Sequence, residues 1–134
     1  MAVDITDRAT AERACSAVLT VLSERAASAS LDAITDFADL MPAEVQAAQE
    51  ELMHLGGRDV GIALDLQEAE HRHLLNVFAP WSIQVDIFDG EDRLIANFHD
   101  CGHDVVLVPL NHDIKRVQSL LPDLPIAKLR PDTG

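Results

Sequence analysis

The alternation of apolar and polar residues between positions 83 and 98 constrains the fold more than any other feature of the chain. Apolar residues stand at 83, 85 and 87 and again at 94, 96 and 98, and the acidic turn Asp89-Gly90-Glu91-Asp92 separates the two runs. Alternation of this kind is typical of strands with one buried face. The two runs therefore predict a β-hairpin whose apolar sets meet on the same side.

A second reversal, at Cys101-Gly102, extends the hairpin to a three-stranded meander. If these two residues form the turn, Phe98 lies opposite Val105, and His99 lies opposite Asp104. The run that begins at Val105 is apolar on both faces, so we expect it to be the most buried strand.

The first half of the chain shows helical periodicity instead. Apolar residues recur every three or four positions over about 7–22 and over 44–55, which is the spacing of helices with one buried face. Gly56-Gly57 ends the second of these helices. Thirteen of the first 48 residues are alanine, so we expect the helices to pack closely.

The stretch between these two helices predicts no strand. Ala26–Ser30 is interpreted as a linker or a capping stretch, and its last residue as the start of a short helix that ends near Met41. This helix would carry three carboxylates on its polar side: Asp32, Asp36 and Asp39.

These elements predict a single α+β domain in which a helical N-terminal half packs on a small antiparallel β-meander, with a C-terminal helix. The helical part covers 1–57, and the α/β part with antiparallel strands covers 58–122. The latter begins with a strand over 59–64 and a helix over 66–78. Residues 123–134 form a loosely held tail.

The charge balance excludes several classes of function. The chain has 23 acidic and 10 basic residues, a formal net charge of −13. Such a chain repels nucleic acid and anionic membranes, and it has no Lys or Arg patch for a phosphate backbone. No apolar run approaches the roughly 20 residues of a membrane span. The N-terminus also lacks a signal-peptide pattern, so we expect a cytoplasmic protein.

The sequence favours a non-catalytic interaction module, such as a regulator, an inhibitor, an antitoxin- or immunity-like protein, or an adaptor. It contains no phosphate-binding glycine motif and no serine-nucleophile motif. Its acidity serves either solubility or attraction to a protein partner, for instance a basic one. A homodimer through a sheet edge or the Ala-rich helices is also compatible with the sequence. The predicted partner-binding residues are Asp32, Asp36, Asp39, Asp89, Glu91 and Asp92.

The segment 97–104, Asn-Phe-His-Asp-Cys-Gly-His-Asp, allows three interpretations. The first is structural, since a two-residue turn makes its His and Asp residues cross-strand pairs. The second is a zinc site, in a metal-binding protein or a metal-dependent hydrolase, with His99, Cys101 and His103 as ligands and His112 or Asp104 as the fourth. The third is a Cys101 thiolate nucleophile with a neighbouring histidine as base. Three ligands within five residues need a distorted turn, so we expect no cofactor and keep zinc as the alternative.

Three Glu-x-x-His tetrads raise one further possibility. They are Glu51-Leu52-Met53-His54, Glu68-Ala69-Glu70-His71 and Glu70-His71-Arg72-His73. Their spacing resembles the ligand pattern of ferritin-like di-iron proteins. That pattern implies four long helices, which the strand-rich second half does not provide.

Overall fold

The computed structural model describes residues 2–4, 8–99, 104–107 and 111–121, with the backbone alone at 2–4, 104–107 and 111–114. The elements are β1 (Ala2–Asp4), α1 (Arg8–Leu22), β2 (Ala26–Leu31), α2 (Ala43–Gly56), β3 (Ile62–Asp65), α3 (Ala69–Phe78), β4 (Gln84–Asp89), β5 (Leu94–His99), β6 (Asp104–Leu107) and α4 (Asn111–Leu120). Short 3-10 helices lie at Ala38–Leu40 and Ala79–Trp81. The predicted α+β class is confirmed.

The described strands form one six-stranded sheet in the order β1-β6-β5-β4-β2-β3, and all neighbouring strands are antiparallel. The predicted meander is β4-β5-β6. Phe98 pairs with Val105 and His99 with Asp104, which is the register predicted for a two-residue turn. The turn at 100–103 itself lies outside the described residues.

The interpretation of Ala26–Ser30 as a linker or a capping stretch is wrong, because this stretch belongs to β2, which is paired on both sides. Ala29 lies between Leu64 of β3 and Ile87 of β4, and only 3% of it is exposed. Alanine and serine have little intrinsic preference for strands. Here the pairing with two larger-residue strands overrides that local preference.

The short helix predicted from Ser30 to Met41 is also wrong. Leu31 is the last residue of β2, and an irregular segment follows it up to the 3-10 helix at Ala38–Leu40. Hydrogen bonds to distant segments hold this part of the chain. The N–H of Asp32 donates to the carbonyl oxygen of Gln84 at 3.0 Å.

The predicted helices at the other positions are confirmed with small changes at their ends. α2 begins after Pro42, whose extended backbone precedes the first turn, and ends at Gly57 with a left-handed φ of 65°. This conformation is costly for residues other than glycine, which explains why Gly56-Gly57 ends the helix.

The core lies between one face of the sheet and the helices. α1 contributes a face of small side chains, so its backbone can approach the sheet closely, and the strands contribute larger ones. Fully or almost fully buried residues are Ala11, Ala14, Cys15, Val18 and Leu22 of α1, Leu31 of β2, Ile62 and Leu64 of β3, Val85 and Ile87 of β4, and Ala96 and Phe98 of β5.

Ser82 connects the segment after β2 to the start of β4 through hydrogen bonds of its side chain. Its side chain is fully buried. The hydroxyl donates to the carbonyl oxygen of Asp32 at 2.6 Å and accepts from the N–H of Gln84 at 3.2 Å.

We expect Ser82→Ala to lower the free energy of unfolding by about 1–2 kcal/mol, because it removes the buried hydroxyl that bonds the carbonyl oxygen of Asp32 and the N–H of Gln84. Chemical denaturation measures this change. Ser16→Ala is the matched control, since Ser16 is exposed on α1. Equal stability of the two variants would contradict this role of Ser82.

Candidate functional site

The register between β2 and β4 places the predicted acidic residues at opposite ends of the sheet. Leu31 pairs with Val85 near the start of β4, and Ala26 pairs with Asp89 at its end. Asp32 follows Leu31 directly, so its segment leaves the sheet at one end and the turn after Asp89 lies at the other. The ends are roughly 17 Å apart at the usual rise per residue. The six predicted residues therefore do not form one surface.

At the first end, the carboxylate of Asp32 has a structural partner. Its Oδ1 accepts a hydrogen bond from the N–H of Gly61 at 2.8 Å, and Gly61 has a left-handed φ of 64°. Asp32 thereby stabilises the turn that leads into β3. Asp36 and Asp39 are exposed at this end.

At the second end, Asp89 holds the turn between β4 and β5. Its carboxylate accepts from the N–H of Arg93 at 3.0 Å, from the N–H of Glu91 at 2.9 Å and from Nε of Arg93 at 3.0 Å. The residue is only 8% exposed. The backbone N–H of Arg93, foremost among these donors, lowers the pKa of Asp89 from its ordinary value. Glu91 and Asp92 remain exposed.

The lowered pKa of Asp89 predicts a dependence of stability on pH. A carboxylate whose pKa falls on folding stabilises the protein above its unfolded-state pKa, and this contribution is lost as the pH falls through the folded-state value. We therefore expect Asp89→Asn to lower the melting temperature at pH 7, with the difference from wild type shrinking below the ordinary pKa of 3.8.

The control for this prediction is Asp92→Asn. Asp92 is exposed in the same turn and has a φ of 60°, which asparagine tolerates. Its melting temperatures are expected to follow those of wild type from pH 7 to pH 2.5. Parallel profiles for Asp89→Asn and Asp92→Asn would show that the hydrogen bonds of Asp89 do not set the pH dependence.

A polar network lies on the sheet face opposite the core. Nε2 of Gln84 donates to Oδ1 of Asp86 at 2.8 Å, and Oε1 of Gln84 lies 2.6 Å from Nδ1 of His99. An ionised carboxylate only accepts, so Asp86 fixes the orientation of the amide. Nδ1 of His99 therefore carries the proton that it donates to Gln84.

The structure tests little of the zinc hypothesis. Of its four ligands, His99 is the one whose side chain is described, because Cys101 and His103 lie outside the described residues and His112 is described by its backbone in α4. Within the described part of the chain, no three His, Cys, Asp or Glu side chains are grouped to hold a metal ion. Zinc binding and a Cys101 nucleophile both remain predictions.

Two of the Glu-x-x-His tetrads lie close together on α2 and α3. The side chains of Glu51 and Glu70 share a hydrogen bond, which raises the pKa of Glu51, and the charges of His73 and His54 oppose this shift. Glu51 and Glu70 are exposed, whereas di-iron ligands project into the interior of a four-helix bundle.

The other cysteine, Cys15, is a free thiol inside the core. Burial raises its pKa far above the usual range for a thiol. Since the thiolate is the reactive form, Cys15 is a packing residue rather than a nucleophile.

Sequence reasoning missed an aromatic and cationic cluster on the helical side. The guanidinium of Arg8 lies 4.2 Å from the centre of the Trp81 ring and 5.1 Å from that of Phe37, and Nη2 donates to the carbonyl oxygen of Pro80. These residues are distant in the sequence and share no motif. Their proximity follows from the tertiary fold alone.

Comparison of the chain with protein-family models, with curated proteins and with solved structures finds no match. Among the described helices, none has the length and apolar character needed to cross a bilayer.

Proposed function

We propose that this chain is a small, non-catalytic, cytoplasmic protein-interaction module that binds a basic protein partner through its acidic surface. The observation that carries the proposal is a difference between the basic and the acidic side chains in their contacts and numbers. The guanidinium groups of several arginines contact other parts of the fold, and most carboxylates of the described residues are exposed.

Four arginines illustrate the first half of this observation. Arg8 contacts aromatic rings, and Arg58 donates to the carbonyl oxygen of Gly61 at 3.2 Å. Arg72 donates to two backbone carbonyl oxygens at 2.8 and 3.1 Å. Arg93 pairs with Asp89. Arg58, Arg72 and Arg93 are themselves exposed, and Nη2 of Arg93 also lies 3.6 Å from Oε2 of Glu91. The carboxylates still outnumber the basic groups, because the chain has 23 acidic and 10 basic residues.

The exposed carboxylates make up the second half. They occur on the helices, at the helix termini and in the turns at both ends of the sheet. Among the described residues they are Glu12, Glu24, Asp36, Asp39, Glu44, Glu50, Glu51, Asp59, Asp65, Glu68, Glu70, Glu91 and Asp92. A surface of this kind attracts a basic partner at long range and increases the rate of association.

Two double variants test the proposal, one at each end of the sheet: Asp36→Asn/Asp39→Asn and Glu91→Gln/Asp92→Asn. The full-length protein is immobilised, partners are captured from a lysate of the source cells, and the captured amounts are quantified at low and at high salt. We expect a basic protein whose capture falls with salt. Neutralising the end that binds it should reduce capture severalfold, while the other variant acts as the matched control.

Capture that neither variant changes, and that does not depend on salt, would contradict the proposal. So would a captured partner with a net negative charge of its own.

A further inference from the structure

A groove on the helical side has the chemistry of a binding site for a cationic side chain. It encloses about 340 Å³ between α1, the start of α2 and the end of α3. Val45, Val77, Pro80 and Trp81 form its apolar part. Trp81 and Val45 are almost fully buried, so the floor of the groove belongs to the packed core.

Two carboxylates flank this apolar floor. Glu12 comes from α1 and Glu44 from the first turn of α2, and both line the groove and are exposed. Ser16 and Asn76 add polar groups to the lining. The carboxylates thus come from two different helices, and the fold brings them to the same cavity.

This combination fits one class of ligand. Lysine and arginine have an aliphatic stem that packs on apolar surface and a charged head that seeks carboxylates. An acidic or purely apolar ligand would bring no positive charge to offset the negative charges of Glu12 and Glu44. The net charge of −13 favours the approach of a cation over that of an anion.

We propose that the groove between α1 and α2 binds an arginine or lysine side chain of a protein partner, with its stem on Val77 and its head between Glu12 and Glu44; the Trp81 ring beneath is already covered by the guanidinium of Arg8. This inference rests on the proposed function and identifies one surface that carries it. Pro42, three residues after Asp39, also lines the groove, so this contact region adjoins the segment of Asp36 and Asp39.

Trp81 provides the measurement, because it is the single tryptophan of the chain. The full-length protein is titrated with the capped peptide Ala-Leu-Arg-Leu-Ala, and its tryptophan fluorescence is recorded. The same peptide with citrulline in place of arginine keeps the shape and removes the charge. We expect a saturable change with the arginine peptide and a much weaker one with the citrulline peptide.

Variants connect this signal to the groove. Glu12→Gln/Glu44→Gln should weaken binding of the arginine peptide about fivefold, which corresponds to losing two exposed ionic contacts. The matched control is Glu24→Gln/Glu68→Gln, which removes the same charge from exposed positions outside the groove lining. The control should change the affinity less than twofold.

Several outcomes would overturn the inference. These are equal binding of the citrulline peptide, equal weakening by the two double variants, or no saturable change. If Lys128→Gln/Arg130→Gln strengthens peptide binding, the occupant is the C-terminal segment of the chain itself. A dimer in sedimentation velocity that Glu12→Gln/Glu44→Gln dissociates would instead assign the groove to a second copy.

The two proposals can fail separately. If the captured basic partner binds Glu12→Gln/Glu44→Gln as well as wild type, the groove assignment is wrong and the proposed function stands. If the arginine peptide binds as expected but no basic partner is captured, the groove is confirmed and the proposed function is contradicted.

Discussion

The pairing of β2 with β4 determines where the rest of the molecule lies. It joins the N-terminal half of the chain to the meander and places β3 at the edge of the sheet. Ser82 strengthens the same junction by bonding to the segment that follows β2. Because the two strands are antiparallel, the loop after β2 and the turn after β4 leave the sheet at opposite ends. The separation of the acidic residues into two groups is a direct consequence.

Local patterns were sufficient for much of the fold. The alternation around Val85 and Phe98 predicts the hairpin, and a two-residue turn at Cys101-Gly102 predicts the register of β5 with β6, which the pairing of Phe98 with Val105 confirms. Gly57 ends α2 for a reason that is visible in the sequence. In these cases the structure is determined by interactions between residues that lie close together in the sequence.

β2 was missed because its stability comes from elsewhere. Ala26, Ala27 and Ser28 carry no strand preference, and helical spacing in the residues that follow favoured the wrong structure. A weak signal was present, since Ser28 and Ser30 alternate with Ala29 and Leu31, and the latter pair is buried. Such small side chains become strand residues only when β3 and β4 are already in place beside them.

The candidate sites likewise include features that the sequence predicts and features that depend on tertiary contacts. The exposure of Glu91 and Asp92 could be predicted from their turn, whereas the structural role of Asp32 depends on Gly61, 29 residues away. The groove with Glu12 and Glu44 could not be predicted, because its walls come from three helices and its floor includes Trp81. Charge is visible in a sequence, but its distribution over the surface is decided by tertiary contacts.

Amide hydrogen exchange of residues 26–32 tests the central claim most directly. The N–H of Asp32 donates to the carbonyl oxygen of Gln84, so the amides of Ser30 and Asp32 face β4 in the alternating antiparallel pattern. If β2 is paired with β4, these two amides exchange as slowly as those of Val85 and Ile87 in β4. Exchange at the rate of an exposed loop would contradict the pairing. It would also remove the argument that the two acidic groups lie at opposite ends of the sheet.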